Sequence, residues 1–250
     1  MEPIVRWSFL NGTVHIKALI MTWVVLIVLM AFVLLGTRKL TSGKPGKFQN
    51  LLEWCVDFVK NLISENMDYK KAAGLLSYLV TLIMFVLFSN LAGLVPNFFA
   101  PLFRKIETGA LNEVFGVANL QSPTADINVT MGLALMTITI VFAMGIRMKG
   151  MKFFKHFLEP FPFFLPIHIL DYIAKPMTLA FRLFGNIFAG EVLIVLMLMM
   201  AQNMHLGGVL GAFIPMALWL AFSIFIGAIQ SFVFTVLTIA YVAQAVAEDH

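Results

Sequence analysis

A nearly uncharged apolar stretch fills the C-terminal third of the chain and limits the folds that it can adopt. Residues 160–247 contain only four charged side chains: Asp171, Lys175, Arg182 and Glu191. The whole sequence is 60% hydrophobic and 12% charged, whereas soluble domains average about 45–50% and about 25%. Such a chain cannot cover itself with polar surface in water. The sequence therefore predicts an all-α integral membrane protein.

Five apolar segments are long enough to form membrane-crossing helices. They cover residues 18–36, 73–95, 128–146, 163–200 and 209–246. The last two would be about 60 Å long as helices, twice the hydrocarbon thickness of a bilayer. Since no charged loop interrupts either one, they favour a C-terminal hairpin of two long tilted helices. The chain has no internal repeat or low-complexity linker, so residues 1–250 are predicted to form a single transmembrane domain.

Positive charges cluster at one end of the first and third spans. They are Arg38, Lys39, Lys44 and Lys47 after the first, and Arg147, Lys149, Lys152 and Lys155 after the third. By the positive-inside rule these ends are cytoplasmic, which places the N-terminus outside and, after five crossings, the C-terminus inside. The simplest location is the plasma (inner) membrane of a bacterium, with a plastid thylakoid membrane as the alternative.

Residues 48–63 have the pattern of an amphipathic helix. Apolar side chains recur on one helical face, and polar ones lie opposite, among them Glu53, Asp57 and Lys60. Two interpretations fit equally well. The helix lies in the cytoplasmic interface of the membrane, or it docks against another subunit.

Arg182 is the most informative of the intramembrane charges. Its guanidinium cannot lose its proton, so it needs an anionic partner or an aqueous cavity. An ionisable side chain at membrane depth costs a few kcal/mol and marks function by default. Other polar side chains lie with Arg182 within roughly 40° of one line along the helix. They are His168, Asp171, Lys175, Thr178 and Asn186.

Glu191 points away from that stripe. At about 100° per residue it lies about 180° from Arg182 and about 13 Å further along the helix axis. The helix therefore carries a carboxylate on each side of a fixed cation, namely Asp171 and Glu191. This arrangement suits two offset, incomplete ion pathways separated by a positive barrier.

Polar residues in other spans have two interpretations each. The last span carries a sparse stripe of Ser223, Gln230, Tyr241 and Gln244 within about 40°. Gln230 either bonds a neighbouring helix or orients the guanidinium of Arg182. Asn90 in the second span either forms a packing hydrogen bond, which is slightly favoured, or belongs to the ion path.

Four segments resemble subunit a of rotary F-type ATP synthases. They are PMTLAFRLFGNIFAGE (Pro176–Glu191), PGKFQNLLE (Pro45–Glu53), SPTADINVT (Ser122–Thr130) and IQSFVFTVLTIAYV (Ile229–Val242). The first contains the RLFGN motif, and together they follow the family's order and spacing almost end to end. The resemblance implies a stator subunit whose two half-channels load and unload protons on the carboxylates of a rotating c-ring.

The resemblance also implies roles for single residues. Arg182 matches the essential arginine, which attracts the ionised ring carboxylate and blocks leakage between the half-channels. Glu191 matches the acid of the outer half-channel and Asn186 the motif asparagine. Gln230 matches the glutamine opposite the arginine.

This chain differs from some relatives along both half-channels. Near the outer acid, Gly190 and Ser223 stand where some relatives have a histidine, so the inlet must rely on Glu191, water and hydroxyl groups. On the cytoplasmic side, where relatives often have an acid, this chain has His168 and Asp171. His168 either relays protons or reaches to the membrane interface.

Lys175 also has two interpretations. It lies four residues after Asp171, one helical turn away, and so is expected to pair with that carboxylate. Alternatively, it is a cation at the membrane interface. Neither interpretation places it directly on the ion path.

The resemblance implies that the chain functions as one subunit of a protein complex. The partners would be the c-subunit ring, the b subunits of the peripheral stalk, the rest of the ATP synthase and the lipid bilayer. Binding of nucleic acid or nucleotide is not expected. The chain is not expected to be an enzyme by itself or to carry a cofactor or metal, and its single cysteine, Cys55, excludes an internal disulfide.

Two other functions fit the sequence less well. A secondary transporter usually shows inverted repeats and a pair of broken helices, and the sequence has neither. A structural membrane scaffold would explain the amphipathic segment and the hairpin. It would not explain why Arg182 and Glu191 stand within apolar spans.

Overall fold

The computed structural model describes residues 6–9, 12–38, 40–41, 43, 45–94, 121–150, 153, 163, 165–202 and 206–247. Within these ranges the chain forms helices α1 (Ile16–Thr37), α2 (Lys47–Asn66), α3 (Tyr69–Ala72), α4 (Leu76–Ala92), α5 (Ile127–Lys149), α6 (Leu165–Gln202) and α7 (Leu206–Val246). Short 3-10 turns at Ala73–Leu75 and Pro123–Ala125 precede α4 and α5.

The predicted all-α membrane fold is confirmed. Among the described residues, five helical stretches are long and apolar enough to cross a membrane: Ala18–Thr37, Tyr69–Ala92, Ile127–Lys149, Leu165–Ile194 and Ala217–Val246. Some residues named in the topology prediction lie outside the described ranges, namely Lys39, Lys44, Lys152, Lys155 and residue 95, the predicted end of the second span.

A β-hairpin before the first span is an addition to the predicted architecture. Strand β1 (Arg6–Phe9) pairs antiparallel with β2 (Gly12–His15), with Arg6 opposite His15. These short segments contain aromatic and β-branched residues, which favour strands. They were expected only as a polar lead-in, because four residues are too few to show a clear period.

Helix α2 is the predicted amphipathic helix, although it begins at Lys47 and ends at Asn66. It exposes Phe48 and Trp54 and buries Val59 and Ile63. The polar side chain of Gln49 is also buried, and hydrogen bonds satisfy its amide group. Its oxygen accepts from the N–H of Thr41 at 3.2 Å, and its nitrogen donates to the carbonyl of Thr41 at 3.0 Å and to Glu53 at 2.7 Å.

Cys55 lies on the same helix and is partly buried. This burial raises the pKa of its thiol, because a low-dielectric environment disfavours the charged thiolate. At neutral pH the side chain is therefore a protonated thiol. It is a poor nucleophile and a poor metal ligand in this form.

The chain packs as two compact units. The first contains Met1–Leu34, Met84–Asp126 and Phe184–Ser231. The second contains Leu35–Ile83, Ile127–Leu183 and Phe232–His250. The assignment of residues 1–250 to a single transmembrane domain stays a prediction.

Two glycines near the end of α5 have different roles in the second unit. Phe153 is buried against Gly145, where an added Cβ would lie 2.5 Å from the ring atom Cε2. The ring of Phe142 meets Phe153 edge-on at 5.7 Å. Gly150 ends the helix with φ +59°, and its N–H bonds the carbonyl of Ile146 at 2.8 Å, as a left-handed helix cap requires.

In the first unit, α6 and α7 pack antiparallel. Asn186 of α6 bonds Gln230 of α7 at 3.1 Å, and the carbonyl of Gly190 accepts from the indole N–H of Trp219 at 3.2 Å. The residue number thus rises along one helix as it falls along the other. This is the C-terminal hairpin that the two long charge-poor segments predicted.

Candidate functional site

The first unit contains a cavity of about 170 Å³ between α4, α6 and α7. Its polar lining comes from Asn90, Asn186, Glu191 and Ser223. Glu191 is the only charged side chain among the described residues that line it. A cavity of this size has room for several water molecules, each of which takes about 30 Å³ in the liquid.

The two carboxylate oxygens of Glu191 have different surroundings. The side chain is 6% exposed, and its Oε1 accepts a hydrogen bond from the backbone N–H of Ser122 at 2.6 Å. Oε2 is buried and forms no hydrogen bond with any residue that the structure describes. The backbone therefore holds one oxygen of the carboxylate, and the other oxygen is available to a proton or a water molecule.

A network of buried polar groups holds Ser122 in place. Its hydroxyl donates to the carbonyl of Ser89 and lies 2.8 Å from the hydroxyl of Thr124. Thr124 in turn donates to Oδ1 of Asn90 at 2.8 Å, and Asn90 donates to the carbonyl of Gly227 at 3.0 Å. The network thus joins the turn before α5 to α4 and α7.

Two glycines make the close approach of these groups possible. A Cβ at Gly93 would lie 2.6 Å from Oε1 of Glu191 and 2.7 Å from the backbone nitrogen of Ser122. A Cβ at Gly227 would lie 3.2 Å from that of Asn90. Only a residue without a side chain leaves room at Gly93, because both neighbours are fixed by hydrogen bonds.

Gln230 lies at the α6–α7 contact of the first unit. It is 3% exposed, and its Oε1 accepts from the side-chain amide of Asn186 at 3.1 Å. Its Nε2 has no hydrogen-bond partner among the described residues. The residue therefore forms a helix–helix hydrogen bond and keeps one unused donor.

Ser223 and Gly190 face each other beside the cavity. A Cβ added at Gly190 would lie 3.7 Å from Oγ of Ser223, an ordinary contact distance. The wall next to them is aromatic, since the rings of Trp219 and Phe222 lie 5.3 Å apart. These two positions, where some relatives are expected to have a histidine, thus have space around them.

The second unit contains a cluster of polar groups around Lys175. Its ammonium lies 2.7 Å from the carboxylate of Asp171, which is the predicted pair one turn apart. The same ammonium lies 4.7 and 5.4 Å from the ring centres of Tyr172 and Tyr241, and it approaches Oε1 of Gln244 at 3.5 Å. Aromatic faces attract such a cation.

Arg182 also belongs to the second unit, and its side chain is exposed. Within the described part of the chain it has no salt bridge or hydrogen-bonded side-chain partner. Thr178 is exposed, but its hydroxyl donates back to its own helix, to the carbonyl of Ala174 at 2.9 Å or of Lys175 at 3.0 Å. His168 is half-exposed.

The structure sorts the predicted site residues by unit. The first unit brings together Asn90, Asn186, Glu191, Ser223 and Gln230, whereas the second brings together Asp171, Lys175, Tyr241 and Gln244. Sequence reasoning missed the groups that surround the carboxylate: Ser89, Gly93, Ser122, Thr124 and Trp219. In the sequence, the segment starting at Ser122 stands out only by its resemblance to the family, which implies no role for Ser122 itself.

Comparison with known proteins places the chain in one family. Residues 19–243 match the family described as ATP synthase A chain. The chain is 41% identical to ATP synthase subunit a of Bacillus subtilis (strain 168), with 97% of each sequence covered. It is 39% identical to the Bacillus velezensis protein of that name, covering 95% of each, and 36% identical to that of Desulforamulus reducens, covering 97% of this chain and 84% of the relative.

Proposed function

This chain belongs to the ATP synthase A chain family, and we propose that it is the stator subunit that exchanges protons with a rotating ring of c subunits. It is a multi-pass bacterial membrane protein of the proton-translocating sector of the ATP synthase. Its further partners would be the b subunits of the peripheral stalk. Its N-terminus would lie outside and its C-terminus in the cytoplasm.

The observation that carries the proposal is the state of Arg182. Its guanidinium is permanently charged, stands in an apolar span and is exposed without a salt bridge to any described residue. Such a charge needs an anion or an aqueous cavity, and no described residue of this chain supplies the anion. A ring carboxylate that moves past the helix would supply it.

Arg182 would then do two things. It would stabilise the ionised form of each passing carboxylate, so that the ring site releases its proton. It would also repel protons that move directly between the two half-channels. Two unit charges 4 Å apart interact with about 4 kcal/mol at an effective dielectric constant of about 20, which is enough for either role.

Glu191 and the cavity beside it would form the outer half-channel, with Asn90, Asn186 and Ser223 in contact with its water. The inner half-channel would pass His168 and Asp171. Lys175 holds Asp171 from one side and so would fix the orientation of its carboxylate. The membrane potential would supply about 2.3 kcal/mol per proton for each 100 mV.

Gln230 would mainly stabilise the helix hairpin and would contribute less to proton transfer. It bonds Asn186 across α6 and α7 and thereby holds the two helices in register. Its unused Nε2 amide donor would be available to water or to a passing ring carboxylate. Tyr241 and Gln244 would similarly hold Lys175, while Thr178 adds a hydroxyl to the same helical stripe.

The test is ATP-driven proton pumping in inverted vesicles that contain the whole complex with Arg182→Ala. Arg147→Ala is the matched control, because Arg147 is an exposed arginine in the last turn of α5. We expect pumping to fall to background with Arg182→Ala and to stay near normal with the control. Arg182→Lys separates charge from guanidinium geometry and should recover only part of the activity.

Subunit content and ATP hydrolysis show whether each complex has assembled. Near-normal pumping by an assembled Arg182→Ala complex would contradict the proposal, since the barrier and ring partner would then be another group. Passive proton conduction through the membrane sector gives a second readout. It should rise in Arg182→Ala if the arginine blocks leakage.

A further inference from the structure

The carboxylate of Glu191 is held asymmetrically, and the asymmetry comes from residues on other segments of the first unit. Oε1 receives the backbone N–H of Ser122 at 2.6 Å, and Oε2 receives no hydrogen bond from any described residue. A carboxylate has about four sites that accept hydrogen bonds. A buried carboxylate that uses so few of them leaves room for a proton or a water molecule at the other oxygen.

The donor to Oε1 is itself rigidly placed. Ser122 is 1% exposed and Thr124 is fully buried, and their hydroxyls lie 2.8 Å apart. Since these two hydroxyls have two protons between them, they can donate in two of their three contacts at a time. When both protons are donated outward, they bond the carbonyl of Ser89 and Oδ1 of Asn90 and thereby tie the turn to α4.

Gly93 completes the arrangement from the other side. A methyl group there would come within 2.6 Å of Oε1, closer than any ordinary contact to carbon. The absence of a side chain is therefore a condition for the hydrogen bond between Glu191 and Ser122. By contrast, a Cβ at Gly74, at the start of the same span, would meet nothing within 4 Å.

We propose that the backbone N–H of Ser122 and the missing side chain of Gly93 fix Oε1 of Glu191, so that Oε2 is the oxygen that exchanges the proton. The proposal rests on the proposed function of Glu191 in the outer half-channel. Ser122 and Gly93 are positioning residues, because they act through the carboxylate. Thr124 and Asn90 support them through the hydrogen bonds given above.

The proton step is balanced without any further reactant. A hydronium ion in the cavity gives one proton to Oε2, which forms an O–H bond and leaves neutral water. The carboxylic acid then gives that proton to an ionised ring carboxylate, directly or through water. Oε2 returns to its ionised state, and Oε1 keeps its bond to Ser122 throughout.

Ser122→Pro tests the backbone donor, because proline has no N–H. The φ of Ser122 is −57°, within the range of proline, and its ψ of 138° suits a residue before Pro123. No other hydrogen bond of the Ser122 N–H occurs among the described residues. Ser122→Ala is the matched control, since it also removes the hydroxyl but keeps the N–H.

We expect Ser122→Pro to lower ATP-driven pumping at least about tenfold relative to Ser122→Ala, since displacing a reacting group by about 1 Å can cost about 100-fold. We also expect the pH at half-maximal pumping to move further in Ser122→Pro than in Ser122→Ala. A loss of assembled complex lowers the amplitude alone. Equal rates and equal pH profiles for the two assembled variants would overturn the proposal.

Gly93→Ala gives a second measurement, which tests the positioning of Glu191 even if the Ser122→Pro complex does not assemble. Its matched control is Gly74→Ala, which adds the same methyl group where there is space. We expect Gly93→Ala to lower pumping and move the pH profile, whereas Gly74→Ala does neither. If the two assembled variants behave alike, the steric part of the proposal is wrong.

Glu191→Gln separates this inference from the function on which it rests. If Glu191→Gln pumps normally, the outer half-channel does not use this carboxylate and both proposals fail together. If Glu191→Gln is inactive while Ser122→Pro and Ser122→Ala match, only the positioning role fails. Loss of pumping in Glu191→Gln, together with a clearly lower rate in Ser122→Pro than in Ser122→Ala, supports both.

Discussion

The polar groups of the first unit and those of the second are held in opposite ways. Glu191 is 6% exposed and depends on backbone and hydroxyl groups, none of which is charged. Asp171 has a side chain that is 57% exposed and depends on the ammonium of Lys175. A buried carboxylate with neutral partners keeps its position when its charge changes, whereas an ion pair is weakened by protonation of its acid.

This difference predicts how sensitive each region is to substitution. Buried polar groups left without partners cost more than exposed ones, because water cannot replace the lost hydrogen bond. In the second unit, the side chain of Asp171 is already 57% exposed, so the removal of Lys175 leaves no buried carboxylate without a partner. Single substitutions should therefore have a large effect in the first unit and a small effect in the second.

The largest effect is expected for Glu191→Gln. The substitution keeps the shape of the side chain and removes the only charged group among the described residues of the cavity. Removing a proton-exchanging group typically costs about 100-fold or more. ATP-driven pumping by the assembled complex should fall by that factor, and Glu191→Asp should recover part of it. Pumping within a few-fold of normal would remove the contrast between the two units.

A smaller effect is expected for Asn90→Leu, which tests the network without touching the carboxylate. The change leaves the hydroxyl of Thr124 without its acceptor and the carbonyl of Gly227 without its donor. Hydrogen bonds between membrane helices are worth about 1 kcal/mol each, so the loss should be about 2 kcal/mol. The measurement is the temperature at which the subunit dissociates from the purified complex.

Thr139→Ala is the matched control for that substitution. The hydroxyl of Thr139 is exposed and bonds only its own helix, at the carbonyl of Leu135. Its loss should change the dissociation temperature little. If Asn90→Leu and Thr139→Ala are equally stable, the buried network does not hold the first unit together.

The sequence predicted the features that depend on local periodicity. The spans followed from apolar runs, and the contact between Lys175 and Asp171 followed from their spacing of four residues. The placement of Ser122 against Glu191 could not be predicted in this way, because 69 residues separate them. That contact depends on the rotation and depth of separate helices, which a hydrophobic pattern leaves undetermined.

Gly93 shows the same limit at a single position. A glycine in an apolar span is compatible with a packing contact, a kink or no role at all. Its meaning appears only when the carboxylate of Glu191 and the nitrogen of Ser122 are both found within 3 Å of its missing Cβ. Sequence spacing could place Asn90 one turn earlier on the helix, but it could not find the partners of either residue.

The smallest effect is expected for Asp171→Asn in the second unit. It removes an ion pair whose acid is 57% exposed, and exposed pairs one helical turn apart are worth about 0.3–0.5 kcal/mol. Lys175 keeps its contacts with the rings of Tyr172 and Tyr241. The dissociation temperature should hardly change, since the pair contributes only about 0.5 kcal/mol, and pumping should fall less than with Glu191→Gln, because the inner half-channel would keep His168.

The measurement that would break the comparison uses Asp171→Asn beside Glu191→Gln in the same vesicles. If Asp171→Asn abolishes pumping as completely as Glu191→Gln does, an exposed carboxylate paired with Lys175 is as indispensable as a buried one held by neutral groups. Exposure would then be no guide to function in this chain. Recovery by Asp171→Glu would show in that case that the inner half-channel requires a carboxylate and tolerates its displacement by one methylene group.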